Sequence, residues 1–328
     1  MLQSGESVIV TGGAGFIGSH LCELLLQRGC NVLAIDDLRC GDRANLPWSD
    51  NSLRFEELTI GAPAAADRLE SHIACADFVF HLASPVGVPL AHAEPADTAS
   101  SIVSAGVQLV ELCRRHKRSL LFTSSSEVYG STDAYPTTEQ ASLTLSDAPR
   151  FSYAAAKIVV EQMVLGLHRQ YGVPSWILRL FNVAGPRQRP DAGVVAAFAQ
   201  QAVTDHTLLV HGDGRQTRCF LHVADAAEAI VAVAASPRLC GRAVNVGSDY
   251  SVTIEDLAAV VAAQAGRRCS VLRVAYTELF GDDFHVVHKR LPDTRLVRET
   301  TGWRPQFGLH DIVRDCVAEQ IALQRKSG

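Results

Sequence analysis

The chain has 328 residues, 47% of them hydrophobic and 20% charged, with a formal net charge of -5. A chain of that size can bury a core without disulfides or a metal. Its acidic balance counts against a nucleic-acid partner, which wants a basic face. The nine cysteines include no C-x-x-C pair and the twelve histidines form no ligand cluster, so reduced thiols and no metal are expected. No apolar run approaches the ~18 residues of a membrane span, and no signal peptide is read at the start, so a cytoplasmic protein without a membrane partner is expected.

Residues 7–11 are uncharged and β-branched and predict a short buried strand. Glycines follow, then an amphipathic helix from about Phe16 to Arg28, ended by Gly29. Residues 31–36 predict the next strand, which completes a βαβ unit. Further strands are expected at 77–82, 119–123 and 175–180, with helices at 96–116 and 153–170 between them. Such alternation implies an α/β fold, a Rossmann-type doubly wound parallel sheet covered on both faces. After about residue 182 the rhythm breaks at Pro186, Pro190 and several arginines. Residues 1–182 are therefore expected to form the first domain. Residues 183–328 are expected to form a smaller substrate domain, partly interleaved with it.

Between the first strand and helix lies Thr11-Gly12-Gly13-Ala14-Gly15-Phe16-Ile17-Gly18. Gly13, Gly15 and Gly18 fit G-x-G-x-x-G, and Gly12, Gly15 and Gly18 fit a tighter G-x-x-G-x-x-G. Without Cβ atoms the turn can bend sharply and let a pyrophosphate reach the amides of the helix N-terminus. Asp36 ends the second strand, where a carboxylate accepts from the adenosine ribose hydroxyls and repels a 2′-phosphate. The cofactor expected is NAD, although Arg39 and Arg43 stand close by in sequence.

Tyr153 and Lys157 lie four residues apart and share one helix face. An ammonium beside a phenol stabilises the phenolate, so Tyr153 is expected to act as a base on a hydroxyl whose carbon loses hydride. Y-x-x-x-K alone is a common pattern. Here Ser124-Ser125-Ser126-Glu127-Val128-Tyr129-Gly130 follows a predicted strand, at the sheet edge where ligands of parallel sheets bind.

Together these residues make the chain resemble the nucleotide-sugar epimerases, dehydratases and decarboxylases of the extended short-chain dehydrogenase superfamily. The matching stretches run from residues 11–20 through His81-Leu82-Ala83, the serine-rich SSSEVYG stretch, Tyr153/Lys157 and Arg179-Leu180-Phe181-Asn182. They continue through Gly185-Pro186-Arg187, Arg218 to Asp225, Asn245-Val246-Gly247 and Gly302-Trp303. The resemblance implies a catalytic hydroxyl at Ser125, cofactor contacts from Phe16, Ile17, Leu82 and Ala83, and Lys157 on the nicotinamide ribose. It implies a UDP-sugar held by Asn182, Arg187, Arg218 and Arg290, and a homodimer pairing the helices at 96–116 and 153–170. Thr59, Ser84 and Val103 depart from the family pattern in details of cofactor contact.

All these enzymes can begin by making a 4-keto sugar, and the second step divides them. Ser126 stands where 4,6-dehydratases carry aspartate, which ranks dehydration lower. Ser125-Ser126-Glu127 and Arg290-Leu291-Pro292-Asp293 are similar to stretches of UDP-glucuronate decarboxylases, which makes Ser126 and Glu127 catalytic candidates. Gly185-Pro186-Arg187-Gln188-Arg189-Pro190-Asp191 resembles the loop of uronate 4-epimerases, in which Arg189 would grip a sugar carboxylate in a bidentate pair. On that loop the sequence favours a 4-epimerase acting on a UDP-hexose or UDP-glucuronate, with decarboxylation next. A non-catalytic Rossmann sensor is the alternative of another class, and the intact Ser125/Tyr153/Lys157 set counts against it.

Overall fold

The computed structural model describes residues 3–85, 87–281 and 284–327. Strand β1 (Ser7–Thr11) feeds helix α1 (Phe16–Gln27), whose leucines and Cys22 turn inward. In chain order follow β2 (Asn31–Asp36), β3 (Leu53–Glu57), α2 (Ala66–Cys75), β4 (Phe78–His81), α3 (Val88–Ala93), α4 (Pro95–His116), β5 (Ser119–Ser125), α5 (Ser152–Tyr171) and β6 (Ser175–Leu180). Beyond residue 182 come β7 (Val183–Ala184), α6 (Val194–Thr204), β8 (Thr207–His211), β9 (Thr217–Cys219), β10 (Leu221–His222), α7 (Val223–Ala234) and β11 (Ala243–Val246). The chain continues with β12 (Ser251–Thr253), α8 (Ile254–Gln264), β13 (Ser270–Val274), α9 (Tyr276–Phe280), α10 (Arg295–Thr301) and α11 (Leu309–Ser327).

Seven of the described strands make one parallel sheet in the order β3-β2-β1-β4-β5-β6-β11. The chain leaves β1 in both directions, so the sheet has its switch point between β1 and β4, where a crevice opens at the strands' carboxyl ends. Leu21, Cys22 and Leu25 of α1 pack with Ile230 and Val233 of α7 on one face. Leu69 and Ile73 of α2, Leu109 of α4 and Val160 of α5 pack on the other. This double cover explains why the central strands are apolar without alternation. A separate core of α6, α8 and α11 residues, with Phe198, Leu257 and Val313 at its centre, underlies the rest.

The strands and helices expected up to residue 180 are present, with ends moved by a residue or two. Two strands of the sheet escape the sequence reading. β3 is an edge strand whose Arg54, Glu56 and Glu57 hide its pattern. β11 is four residues long and carries the buried Asn245. Its pairing with β6 returns residues 243–246 to the first sheet, so position 182 marks a change of rhythm and no boundary in space. None of the described helices is long and apolar enough to cross a membrane.

Candidate active site

The glycine turn is built by backbone contact. A Cβ on Gly18 would collide with the Gly12 carbonyl oxygen, and one on Gly12, at φ +69°, would stand 2.9 Å from the Ala83 nitrogen. Only glycine lets α1 begin this close to β1 and to the chain leaving β4, which leaves the amides of the helix end open to an anion. Asp36 lies at the same end. Its carboxylate accepts from the Ala14 nitrogen at 3.1 Å and the Leu38 nitrogen at 2.9 Å. Burial pushes its pKa up, and those donors oppose the rise. Arg39 is paired with Asp37 at 2.7 Å, and Arg43 lies over the rings of Trp48 and Phe55. Neither guanidinium is paired with Asp36. This cradle fits NAD.

A cleft of about 710 Å³ runs from Asp36 and the glycine turn past Leu82 and Ala83 to Ser125, Glu127 and Tyr153. Phe16, Ile17, Lys157 and Asn182 also line it. Of the departures from the family pattern, Thr59 is exposed while its neighbours Leu58 and Ile60 reach the cleft. Val103 packs against the core beneath α4. The Ser84 hydroxyl, like that of Ser125, lies near enough to the Tyr153 phenol to lower its pKa.

Ser125 ends β5, and Tyr153 opens α5 behind the short turn Pro149–Phe151. Lys157 is buried, and its Nζ donates to the Thr123 carbonyl at 3.0 Å, 5.5 Å from the centre of the Tyr153 ring. The expected electrostatics are reversed. Burial first, and then the charge of Glu127, raise the Tyr153 pKa above its ordinary value. Burial lowers that of Lys157 to about 7. Burial thus weakens the charged form of both members of the pair, the ammonium and the phenolate. His81, next to Lys157, is held neutral by burial at about 3 and bonds Thr11 Oγ1 at 2.8 Å.

The end of the cleft away from Asp36 is dominated by Glu127. Its Oε2 lies 3.0 Å from Arg150 Nη2 and 2.9 Å from Arg290 Nη2. Only the first of these has hydrogen-bond alignment, because Arg290 Nη2 is buried without a bonded partner among the described residues. Arg290 Nη1 donates to the Ser126 carbonyl. Burial pushes the Glu127 pKa up, but Arg290 and then Arg150 outweigh it, and the group is held below its ordinary value. Arg218 stands behind, donating to the carbonyls of Thr217 and Val287. Sequence reasoning passes over Arg150 altogether. The available signal was its place three residues before Tyr153, behind a proline.

The loop arginines lie elsewhere. Arg187, at φ +67°, pairs with Glu23 of α1 at 2.6 Å and donates to Ser19 Oγ, while its own nitrogen donates to Glu319 of α11. Arg189 is half-exposed, pairs with Asp191 at 2.5 Å and reaches the carbonyl of Arg39, at the Asp36 end of the cleft. Among the described residues its guanidinium pairs with no member of the Glu127 cluster, and it lines the same cleft. Arg179, in one of the matching stretches, is structural. It pairs with the buried Glu161 at 2.6 Å and donates to the Tyr129 hydroxyl, which in turn donates to Asn245.

A wholly parallel sheet with Ser125, Tyr153 and Lys157 at its carboxyl edge is the arrangement of an extended short-chain dehydrogenase. The model of the NAD dependent epimerase/dehydratase family matches residues 8–247, and the chain belongs to that family, with NAD as its cofactor. It is 32% identical to a UDP-N-acetyl-alpha-D-glucosaminuronate decarboxylase of Bacillus cytotoxicus, covering 94% of this chain and 96% of the relative. It is 34% identical to a UDP-glucose 4-epimerase of Mycolicibacterium smegmatis over the same shares of the two chains. The crystal structure of the Thermus thermophilus UDP-glucose 4-epimerase complex with NAD superposes with a TM-score of 0.85 at 28% identity, covering 96% of this chain and 99% of that one.

Proposed function

We propose that this chain is a decarboxylase of a UDP-linked hexuronate, working through a 4-keto sugar. The observation that carries the reading is the ionised Glu127, held between Arg150 and Arg290 beside Ser125 and Tyr153. A 4-epimerase works at C4 alone and must let the sugar turn to show hydride its other face. A fixed charge cluster beside the sugar opposes that turning.

When bound, NAD supplies the hydride acceptor at C4 and a positive charge near the phenol. Tyr153 takes the O4 proton, which the Ser125 hydroxyl hands on or shares. Oxidation makes the uronate a β-keto acid. Arg150, Arg218 and Arg290 carry three positive charges against the one negative charge of Glu127, an excess that two diphosphate charges match. The sugar carboxylate then meets Glu127 without a free cation of its own, and an ion so placed is disfavoured relative to neutral carbon dioxide. Breaking C5–C6 leaves its electrons as a 4-enolate, which the Ser125 and Tyr153 hydroxyls stabilise. One proton is consumed at C5 before hydride returns to C4.

The test is to incubate the protein with UDP-glucuronate and NAD in deuterated water. Carbon dioxide and a UDP-pentose carrying one deuterium at C5 are expected. Six retained carbons with C4 inverted would overturn the reading. That outcome is the 4-epimerase favoured from the sequence. Interconversion of UDP-glucose and UDP-galactose checks it. The homodimer rests on α4 and α5, which leave Val107 and Val159 exposed on adjoining helices. Sedimentation as a monomer at micromolar concentration would remove it.

A further inference from the structure

We infer that Arg150 is a positioning residue for Glu127, clamping that carboxylate in its ionised form at a fixed place beside Tyr153. The inference rests on the reading that Glu127 acts beside the sugar carboxylate. Arg150 lies on the turn that opens α5, three residues before Tyr153, so one short element sets the base and the clamp together. Its side chain is 5% exposed, and Nη2 meets Glu127 at 3.0 Å. Nη1 donates to the His285 carbonyl at 2.8 Å, and the guanidinium lies over the rings of Phe151 and Phe284. The arginine is therefore fixed on three sides. Its buried Nε has no partner within the described residues, a cost that a merely structural arginine would be expected to avoid.

Arg290 also meets Glu127, but it is the residue assigned to the substrate's diphosphate. Once that anion is bound, Arg290 divides its charge, and Arg150 becomes the principal partner of Glu127. The other groups around this carboxylate are Arg218 from β9 and Tyr153 from α5. His285 turns its ring away to Ser131 Oγ at 2.6 Å. The charge of Glu127 is felt at Tyr153, so a carboxylate held in one place by Arg150 keeps that influence constant.

The experiment labels the enzyme with glutamate enriched at the carboxyl carbon and follows Glu127 by NMR, its signal assigned by loss in Glu127→Gln. In Arg150→Met the carboxylate is expected to titrate about one pH unit or more higher than in the parent. Arg150→Lys, which keeps the charge, is expected to fall between the two. With UDP-glucuronate and NAD, absorbance at 340 nm reads the first step and released carbon dioxide the second. In Arg150→Met the second step is expected to fall about 100-fold and its acid limb to move up with the carboxylate. Guanidinium ion added to Arg150→Ala is expected to restore part of it. Circular dichroism checks that each variant is folded. An unmoved Glu127 titration in folded Arg150→Met overturns the inference. If the parent enzyme releases no carbon dioxide, the decarboxylase reading fails, and the titration still decides the role of Arg150.

Discussion

The two ends of the cleft are built in opposite ways. At the cofactor end, Gly12, Gly18 and Asp36 fall within a single βαβ unit, and contact is made mainly by backbone. At the other end, Glu127, Arg150, Arg218 and Arg290 come from four separate segments, and charged side chains converge there. A site made of neighbouring backbone tolerates little change and keeps one ligand. A site made of converging charges can be retuned one residue at a time, which suits a family whose members share an oxidation and differ in the second step.

Four substitutions separate the two constructions. Tyr153→Phe removes the proton acceptor that both halves need, and its turnover is expected to fall about 1,000-fold while NAD remains bound. Steady-state kinetics with retained nucleotide measured after gel filtration checks this, and a fall below about tenfold would remove Tyr153 as the base. Next in size is Lys157→Met. The folded pKa of Lys157, about 7, lies below the ordinary 10.5, so between those values the unfolded chain binds the extra proton. Burial of this lysine therefore costs stability most fully below pH 7, and the cost fades as pH rises towards 10.5. In nucleotide-free protein, Lys157→Met is expected to be more stable by up to about 4 kcal/mol below about pH 7, with a gain that shrinks at alkaline pH. Denaturant melts at pH 6 and pH 10 read the difference, and an equal gain at both would refute it.

At the cofactor end, Asp36→Asn keeps the shape but removes the charge and one acceptor. It is expected to weaken NAD binding about tenfold and to narrow the preference over NADP. Titration calorimetry with both nucleotides tests it, and unchanged discrimination would mean that another group sets the choice. The smallest effect is expected from Arg189→Ala. An exposed pair with Asp191 is worth at most about 1 kcal/mol, so selectivity between UDP-glucuronate and UDP-glucose is expected to stay within about threefold. A large loss of uronate selectivity would restore this arginine to the sugar and with it the epimerase reading.

The same contrast decides what could be read from the sequence. The glycine turn, Asp36 and Tyr153/Lys157 could be placed along the cleft because each is a local pattern beside a strand end or helix start, while Ser125 came from the family resemblance. The central strands were legible for the same reason. Arg150 was not, since an arginine behind a proline reads as a surface loop until Glu127, 23 residues earlier, is seen against it. The pairing of Arg189 with Asp191, two residues on in the same loop, was not read from the sequence, because spacing alone does not report which side chains meet. The sign of the Tyr153 shift was also out of reach, because it follows from burial and from Glu127, and spacing along a helix reports neither. β11 escaped because a four-residue strand with a buried asparagine lacks any period.

The late return of β11 to the sheet has a consequence for how such a protein changes over evolutionary time. Because β11 and α7 close the first sheet from beyond residue 182, the part beyond that residue cannot be lifted out and exchanged as a cassette. Cutting the chain at that point would bare the hydrogen-bonding edge of β6, an aggregation hazard. New specificity must therefore come by substitution in place, in the loops that converge on Glu127, while the interwoven scaffold is inherited whole.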